Sequence, residues 1–398
     1  MAKTLQSSGA IGISGGSTTY EFVANTYTIG SSSESPAQIT YRLAGIISNL
    51  SVRVRSNTIA ATSTVTLRKN GSDGNNTISI TSLATGEFED TTHTDIVSAG
   101  DAICVKCVGG GVAGSLICSI ATLFSSDTNT SIHFNCTTSS SFYADPSTSY
   151  YIPIAGDEIN SNTNEAPVKL SVAGGGYLKH LFTRMFYNSN DNAVTIKTRV
   201  NGADGNLSVS IPASTTGVFE DITNTDVLLD GYDINYVIAT GAGAVDFAPY
   251  AISCEFVSTD GSFYSVTGDD IGTTYGTSTQ YFYIGSGSMD SQPLETNIKQ
   301  DINIACTASN LFLNVNANNR STSTTFDLRV NGVSSALTIS VPANTAGQFE
   351  DTTHTVSLVP TDEVNFRLSV PAGTGTIQPY IMAVKFKSSV NNNFLLVF

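Results

Sequence analysis

Gly86-Glu87-Phe88-Glu89-Asp90-Thr91-Thr92-His93-Thr94-Asp95 returns twice along the chain. It reappears as Gly217-Val218-Phe219-Glu220-Asp221-Ile222-Thr223-Asn224-Thr225-Asp226 and as Gly347-Gln348-Phe349-Glu350-Asp351-Thr352-Thr353-His354-Thr355-Val356. The three phenylalanines are 131 and 130 residues apart. Twenty residues before each stands an arginine, Arg68, Arg199 or Arg329. Each arginine is followed by an Asn-Gly pair: Asn70-Gly71, Asn201-Gly202 and Asn331-Gly332. Similarity kept at one period marks a repeat architecture, in which each copy is one folding unit.

Other landmarks keep the same spacing. Gly100-Asp101-Ala102-Ile103, Gly231-Tyr232-Asp233-Ile234 and Thr361-Asp362-Glu363-Val364 follow the quoted stretch, and each copy closes on a β-rich run ending at Phe124, Phe256 or Phe386. Polar breaks then divide the chain into repeats over 1–125, 126–257 and 258–389, with an apolar tail over 390–398. A chain of 398 residues is too long for one core and suits this division.

Short Val, Ile, Thr, Tyr and Phe runs punctuated by 34 glycines read as strands and turns, so the fold class is all-β. In the first copy the pattern predicts eight strands, near 19–29, 38–45, 48–55, 62–69, 76–83, 86–92, 101–109 and 115–124. Eight strands at that spacing predict three tandem antiparallel β-sandwiches of jelly-roll type. An immunoglobulin-like sandwich is the alternative, but the chain has no Trp and no recurring cysteine pair to fill such a core. Asn-Gly after a strand is the preferred two-residue hairpin turn, because both residues must take positive φ. Residues 1–18 are Gly/Ser-rich and are expected not to pack alone, and three units in series are expected not to close on themselves as a barrel does, so their sheet edges must be blunted by charge, neighbouring modules or other subunits.

Alternation assigns faces. Val65 and Leu67, Ile196 and Val200, and Phe326, Leu328 and Val330 share one parity and face the core. Arg68, Arg199 and Arg329 have the opposite parity and lie outside it. Glu89, Glu220 and Glu350 are their candidate partners, while Phe88, Phe219 and Phe349 point inward. The motif's carboxylates could suggest calcium, but the dense Asp/Asn/Gly loop that supplies its ligands is missing. Asp90, Asp221 and Asp351 are therefore read as acceptors for nearby backbone amides. His93 and His354 align with Asn224, an exchange a catalytic base would not survive, so they read as hydrogen-bonding turn residues.

The six cysteines, Cys104, Cys107, Cys118, Cys136, Cys254 and Cys306, do not recur with the fold, which argues for free, mostly buried thiols. A local bridge among the first four stays open. Cys104 and Cys107 fall on opposite faces of one strand, which makes shared zinc ligation difficult. The Asp269-Asp270 pair has no partner that spacing can place, so no glycosidase-like pair of carboxyls emerges. No enzyme, cofactor or metal is expected. A net charge of −15 argues against nucleic acid as a partner, and no apolar run is long enough to span a membrane. The N-terminus carries no hydrophobic leader, which predicts synthesis in a cytoplasm without classical secretion.

With Leu-Arg-Val-Asn-Gly upstream, the Phe-Glu-Asp segments and Gly-Asp-x-Ile downstream, the chain resembles virion proteins of tailed bacteriophages built of small β-sandwich modules. That resemblance implies a structural protein of a capsid decoration, fibre or appendage, with other virion proteins and copies of itself as partners, located in the virion. Two alternatives remain: a carbohydrate-binding adhesin or receptor-binding protein recognising a cell-surface glycan, and a bacterial surface or matrix protein. The tail Phe394-Leu395-Leu396-Val397-Phe398 is expected to dock on a sheet edge or groove, in its own chain or a partner, since five exposed apolar residues are a liability.

Overall fold

The computed structural model describes residues 2–23, 30–126, 131–137, 142–157, 162–243, 245–268, 273–285, 291–302, 304–388 and 396–397. Regular structure among them is strand, apart from single 3₁₀ turns at Ser35–Ala37, Ala166–Val168 and Glu295–Asn297. The all-β reading holds.

In the first module the strands are β1 (Ala2–Ser14), β2 (Thr18–Glu21), β3 (Ile39–Thr40), β4 (Gly45–Asn57), β5 (Ser63–Lys69), β6 (Ser72–Ile80), β7 (Gly86–Val97), β8 (Ala102–Val108) and β9 (Ser115–Ser126). They form two sheets, ordered β1-β9-β4-β7 and β2-β8-β5-β6, with β3 also on β8. This interlocked order is the jelly roll, two Greek keys wrapped face to face. The later modules repeat it, and among the described residues strands pair only within 2–126, within 131–258, or within 263–388 with 396–397. Val65 and Leu67 are fully buried in the first core, as are Ile196 in the second and Phe326 and Leu328 in the third.

The strand reading misses one strand at the N-terminus. Residues 2–14 form β1, which pairs along β9 from Ala2↔Ser126 to Ser14↔Ser115. Small residues hide the strand pattern there, but backbone pairing to β9 does not require large side chains. Of the strand predicted near 19–29, Thr18–Glu21 is strand and residues 24–29 lie outside the described residues, while the one near 38–45 shrinks to Ile39–Thr40. At the other end Leu396 and Val397 pair antiparallel with Ile302 and Asp301, whereas Phe394, Leu395 and Phe398 lie outside the described residues.

No sheet closes across modules among the described residues, but the modules do pack on one another. Phe182 and Ala251 of the second module pack into the first module's core cluster, and Phe312, Ile381 and Ala383 of the third pack into the second's. Ala121 of the first packs with Tyr283 and Ile298 of the third. Each module touches both others, so the chain closes head to tail into a ring. Closure explains an anomaly in burial. A strand covered on one face should alternate, yet 118–126, 251–256 and 381–386 are buried without a break. One face of each lines its own core and the other lines a seam.

Candidate functional site

Asn70, Asn201 and Asn331 take φ of 51° or less, and Gly71, Gly202 and Gly332 take 74–82°. Both turn residues are thus left-handed, as the hairpin requires, and β5 and β6 meet at Lys69↔Ser72. The Asn side chains work as well: Asn70 Nδ2 donates to Asp101 Oδ1 at 2.6 Å, and its Oδ1 accepts from Ala102 N at 2.8 Å. Asn331 does the same with Asp362 and Glu363.

The arginines lie on the outer face of their sheet, but that face is covered, and their partners differ from those expected. Arg68 Nη2 donates to Glu34 Oε2 at 2.6 Å. Arg199 pairs with both oxygens of Glu165 at 2.8 and 3.3 Å, and Arg329 with both of Glu295 at 3.0 Å. Each guanidinium also donates to the carbonyl of the turn glycine, Gly71, Gly202 or Gly332. Alternation is right about direction but says nothing about a loop folding back over the sheet. The partners were nevertheless legible, because Glu34, Glu165 and Glu295 each precede their arginine by 34 residues. Hydrogen bonding to Glu34 raises the Arg68 pKa, against the opposing effect of burial.

Around each arginine the charges are redistributed between copies. Asp73 accepts from Arg68 and Lys106, and Asp204 from Arg199 and Lys197. In the third copy Ser334 stands at that position, and buried Asp327 instead takes Arg367 at 2.9 and 3.0 Å.

Phe88, Phe219 and Phe349 pack against their cores but are only half-buried, because they sit on outer strands of the sandwich. The aspartates carry the motif. Pairing of β4 with β7 jumps from Ser48↔Thr94 to Leu50↔Asp90, so residues 91–93 oppose Asn49 alone. Asp90 fills this bulge: Oδ1 accepts the amides of Thr92 and His93 at 3.2 and 3.1 Å, and Oδ2 accepts Thr77 N of the opposite sheet at 3.0 Å. Asp221 repeats this with Thr223, Asn224 and Ser208, and Asp351 with Thr353, His354 and Thr338. Burial alone would raise the Asp90 pKa, but these donors hold it at about 2, and Asp221 likewise at about 2. His93 and His354 sit within the bulged strand rather than a turn. Each contacts its aspartate through Nδ1 at 2.9–3.0 Å, where Asn224 uses its amide.

The loops carrying Glu34, Glu165 and Glu295 are the docking points of the ring. Arg184 Nε of the second module donates to Gln38 O of the first at 3.1 Å, and its Nη1 lies 3.4 Å from Ser35 Oγ. Asn314 Nδ2 of the third donates to Ala166 O and Lys169 O of the second at 2.9 and 3.0 Å. Arg53 of the first closes the circle, donating to Lys299 O and Thr296 O of the third, both at 3.0 Å. Donors 53, 184 and 314 are repeat-equivalent, and so are the two acceptor positions in each loop. The ring therefore has an approximate threefold relation built into one chain. Glu220 sits at a seam too, accepting from Arg42 Nε at 3.0 Å.

Cys104, Cys107, Cys118, Cys254 and Cys306 are free and buried, and burial pushes the thiols of Cys254 and Cys306 up to about 12. The Cys136 side chain and the Asp269-Asp270 pair lie outside the described residues. Among the described residues no three His, Cys, Asp or Glu side chains converge as a metal site needs. No described helix is long and apolar enough to cross a membrane.

No protein-family model matches the sequence, and no curated protein does. Among solved structures, a Paenibacillus xanthan lyase is similar at 13% identity and a TM-score of 0.21, over 72% of this chain and 30% of that one. The chain thus spans less than a third of that enzyme's length.

Proposed function

We propose that this chain is a non-enzymatic structural protein of a bacteriophage virion, decorating the capsid or forming part of a fibre or appendage. The observation that carries this reading is the use made of the recurring polar residues. Arginine, glutamate, aspartate and asparagine of all three copies are spent on turns, bulges and loop braces, and the loops so braced are where the modules join. A closed ring of three similar, non-identical modules suits attachment to other virion proteins arranged about a threefold position. Mass spectrometry of purified virions, with antibody labelling of particles, tests the proposal. Recovery of the chain only from virion-free medium would point instead to a bacterial matrix protein.

Glycan recognition is a second reading with an observation of its own. Phe186, 54% exposed, stacks on Tyr250 with ring centroids 4.4 Å apart. The pair borders a cleft of about 210 Å³ between the first two modules, lined also by Ser35, Pro36, Arg184 and Thr216. A glycan array with wild type and Phe186→Ala distinguishes this reading: binding lost in the variant supports it.

A further inference from the structure

The three seams share one pair of hydrogen bonds but differ in charge. Between the first and second modules Glu220 meets Arg42. Between the second and third, Lys385 Nζ donates to Ala173 O at 3.0 Å and Gln348 meets Asp233 at 3.3 Å, while Glu350, its pKa raised by burial, is near Asp233 and Asp230 and is hydrogen-bonded by Ser171. The seam between the third and first is different. Here Glu87 and Glu89 of β7 face Asp301, in the strand Gln300–Ile302, and Glu363, which begins the strand Glu363–Ser369. The cations among them are Arg53 of β4, 2.5 Å from Glu87, and Lys299, paired with Glu363. Four carboxylates thus share two cations, and Glu87, Glu89 and Asp301 line a cleft of about 320 Å³ together with Asn49, Ile302, Pro360 and Thr361.

This seam is also the one that peptide chain does not bridge directly. Short connections run from Ser126 to Ser131 and from Ser258 to Phe263, whereas the first and third modules meet only through space. Opening it separates no consecutive modules and breaks the ring at one place.

We infer that the seam between the first and third modules is a latch, closed more tightly by acid and loosened as its carboxylates ionise. Burial, and then repulsion from neighbouring carboxylates, raises the pKa of Glu89 and Asp301; for Glu87 burial leads, opposed by Arg53. A carboxylate whose pKa is raised on closure is more at ease there when protonated. Closure is therefore favoured at low pH and weakened as pH rises through the raised values. The seam between the first and second modules, where Glu220 meets the opposite charge of Arg42, should not share the response.

Hydrogen exchange on the full chain tests this, with protection corrected for the intrinsic pH dependence. Residues 45–54 and 298–302 report on the latch, and residues 37–41 and 178–186 on the seam between the first two modules. Between about pH 8 and about pH 5, protection at the latch should rise on the order of threefold, while the control seam stays level. Glu87→Gln/Glu89→Gln should be protected at both pH values, and Asp301→Asn should show the same from the opposite side. Equal pH responses at both seams, or variants that track the wild type, overturn the inference.

Discussion

Glu34 and Arg68 stand 34 residues apart in sequence and 2.6 Å apart in space, and the same pair is built again as Glu165–Arg199 and Glu295–Arg329. The glutamate begins the loop that holds a 3₁₀ turn, and the arginine belongs to a strand that the core fixes. The pair therefore transfers the rigidity of the sandwich to the loop that receives the next module. A surface ion pair would contribute about 0–1 kcal/mol, but these side chains are only 10–17% exposed. Removing one partner strands the other.

Arg199→Met should therefore cost about 1–3 kcal/mol, since Glu165 loses both of its guanidinium bonds under partial burial. Chemical denaturation measures the loss. The double variant Arg199→Met/Glu165→Met should recover part of it, because the orphaned charge is then gone. A double variant no better than the sum of the singles would show that the pair is not coupled.

Asn314 tests the seams directly. It is 1% exposed and satisfies two carbonyls of the neighbouring module. Asn314→Leu has similar volume but leaves Ala166 O and Lys169 O without that donor, a loss of about 2 kcal/mol or more across the seam. Small-angle scattering should show an expanded particle while circular dichroism stays that of the wild type. An unchanged radius would mean that apolar packing around Phe312 holds this seam without the amide.

Much of this architecture was legible in the chain. The period gave three modules, the strand count gave the jelly roll, and Asn-Gly gave the hairpin, because each rests on local backbone chemistry. What escaped depends on contacts at long range. Glu34 was hidden because alternation predicts a side chain's direction but not what lies above it. The ring was hidden because Arg53, Arg184 and Asn314 occupy one position with two residue types, so the self-alignment did not single it out. The runs of apolar and small residues over 118–126, 251–254 and 381–384 were the available signal, since a strand covered on one side has no need of them.

The bulge aspartates set the acid limit of the fold. Asp90 and Asp221 are held at about 2, below the ordinary carboxylate range. A depressed folded value means stability that is present above the unfolded pKa and lost as pH falls through the folded one. Thermal stability should therefore decline from about pH 4 toward pH 2, and Asp221→Asn should flatten that decline while lowering stability near neutrality by about 1–2 kcal/mol. Melting curves across pH measure both. A variant whose acid limb matches the wild type would assign the decline to other groups.

The C-terminal strand bears on aggregation as well as closure. Leu396 and Val397 pair with Ile302 and Asp301, so they cover the backbone edge of a segment that also lines the cleft between the first and third modules. An uncovered edge presents free amides and carbonyls to any other strand. Deleting residues 394–398 should leave the three sandwiches folded, because each sandwich's two sheets are built from strands before residue 389 and the tail only adds to an edge. The edge at 301–302 would then be open, and the truncated chain should self-associate with rising concentration in sedimentation velocity while the full chain does not. Its incorporation into particles should fall as well. Adding Lys at Ile302 in the truncated chain (Ile302→Lys) would mix edge protection with core loss, so the cleaner control is a charged replacement tail that cannot pair. If that control and the simple truncation both remain monodisperse and assemble normally, the tail is not protecting the edge.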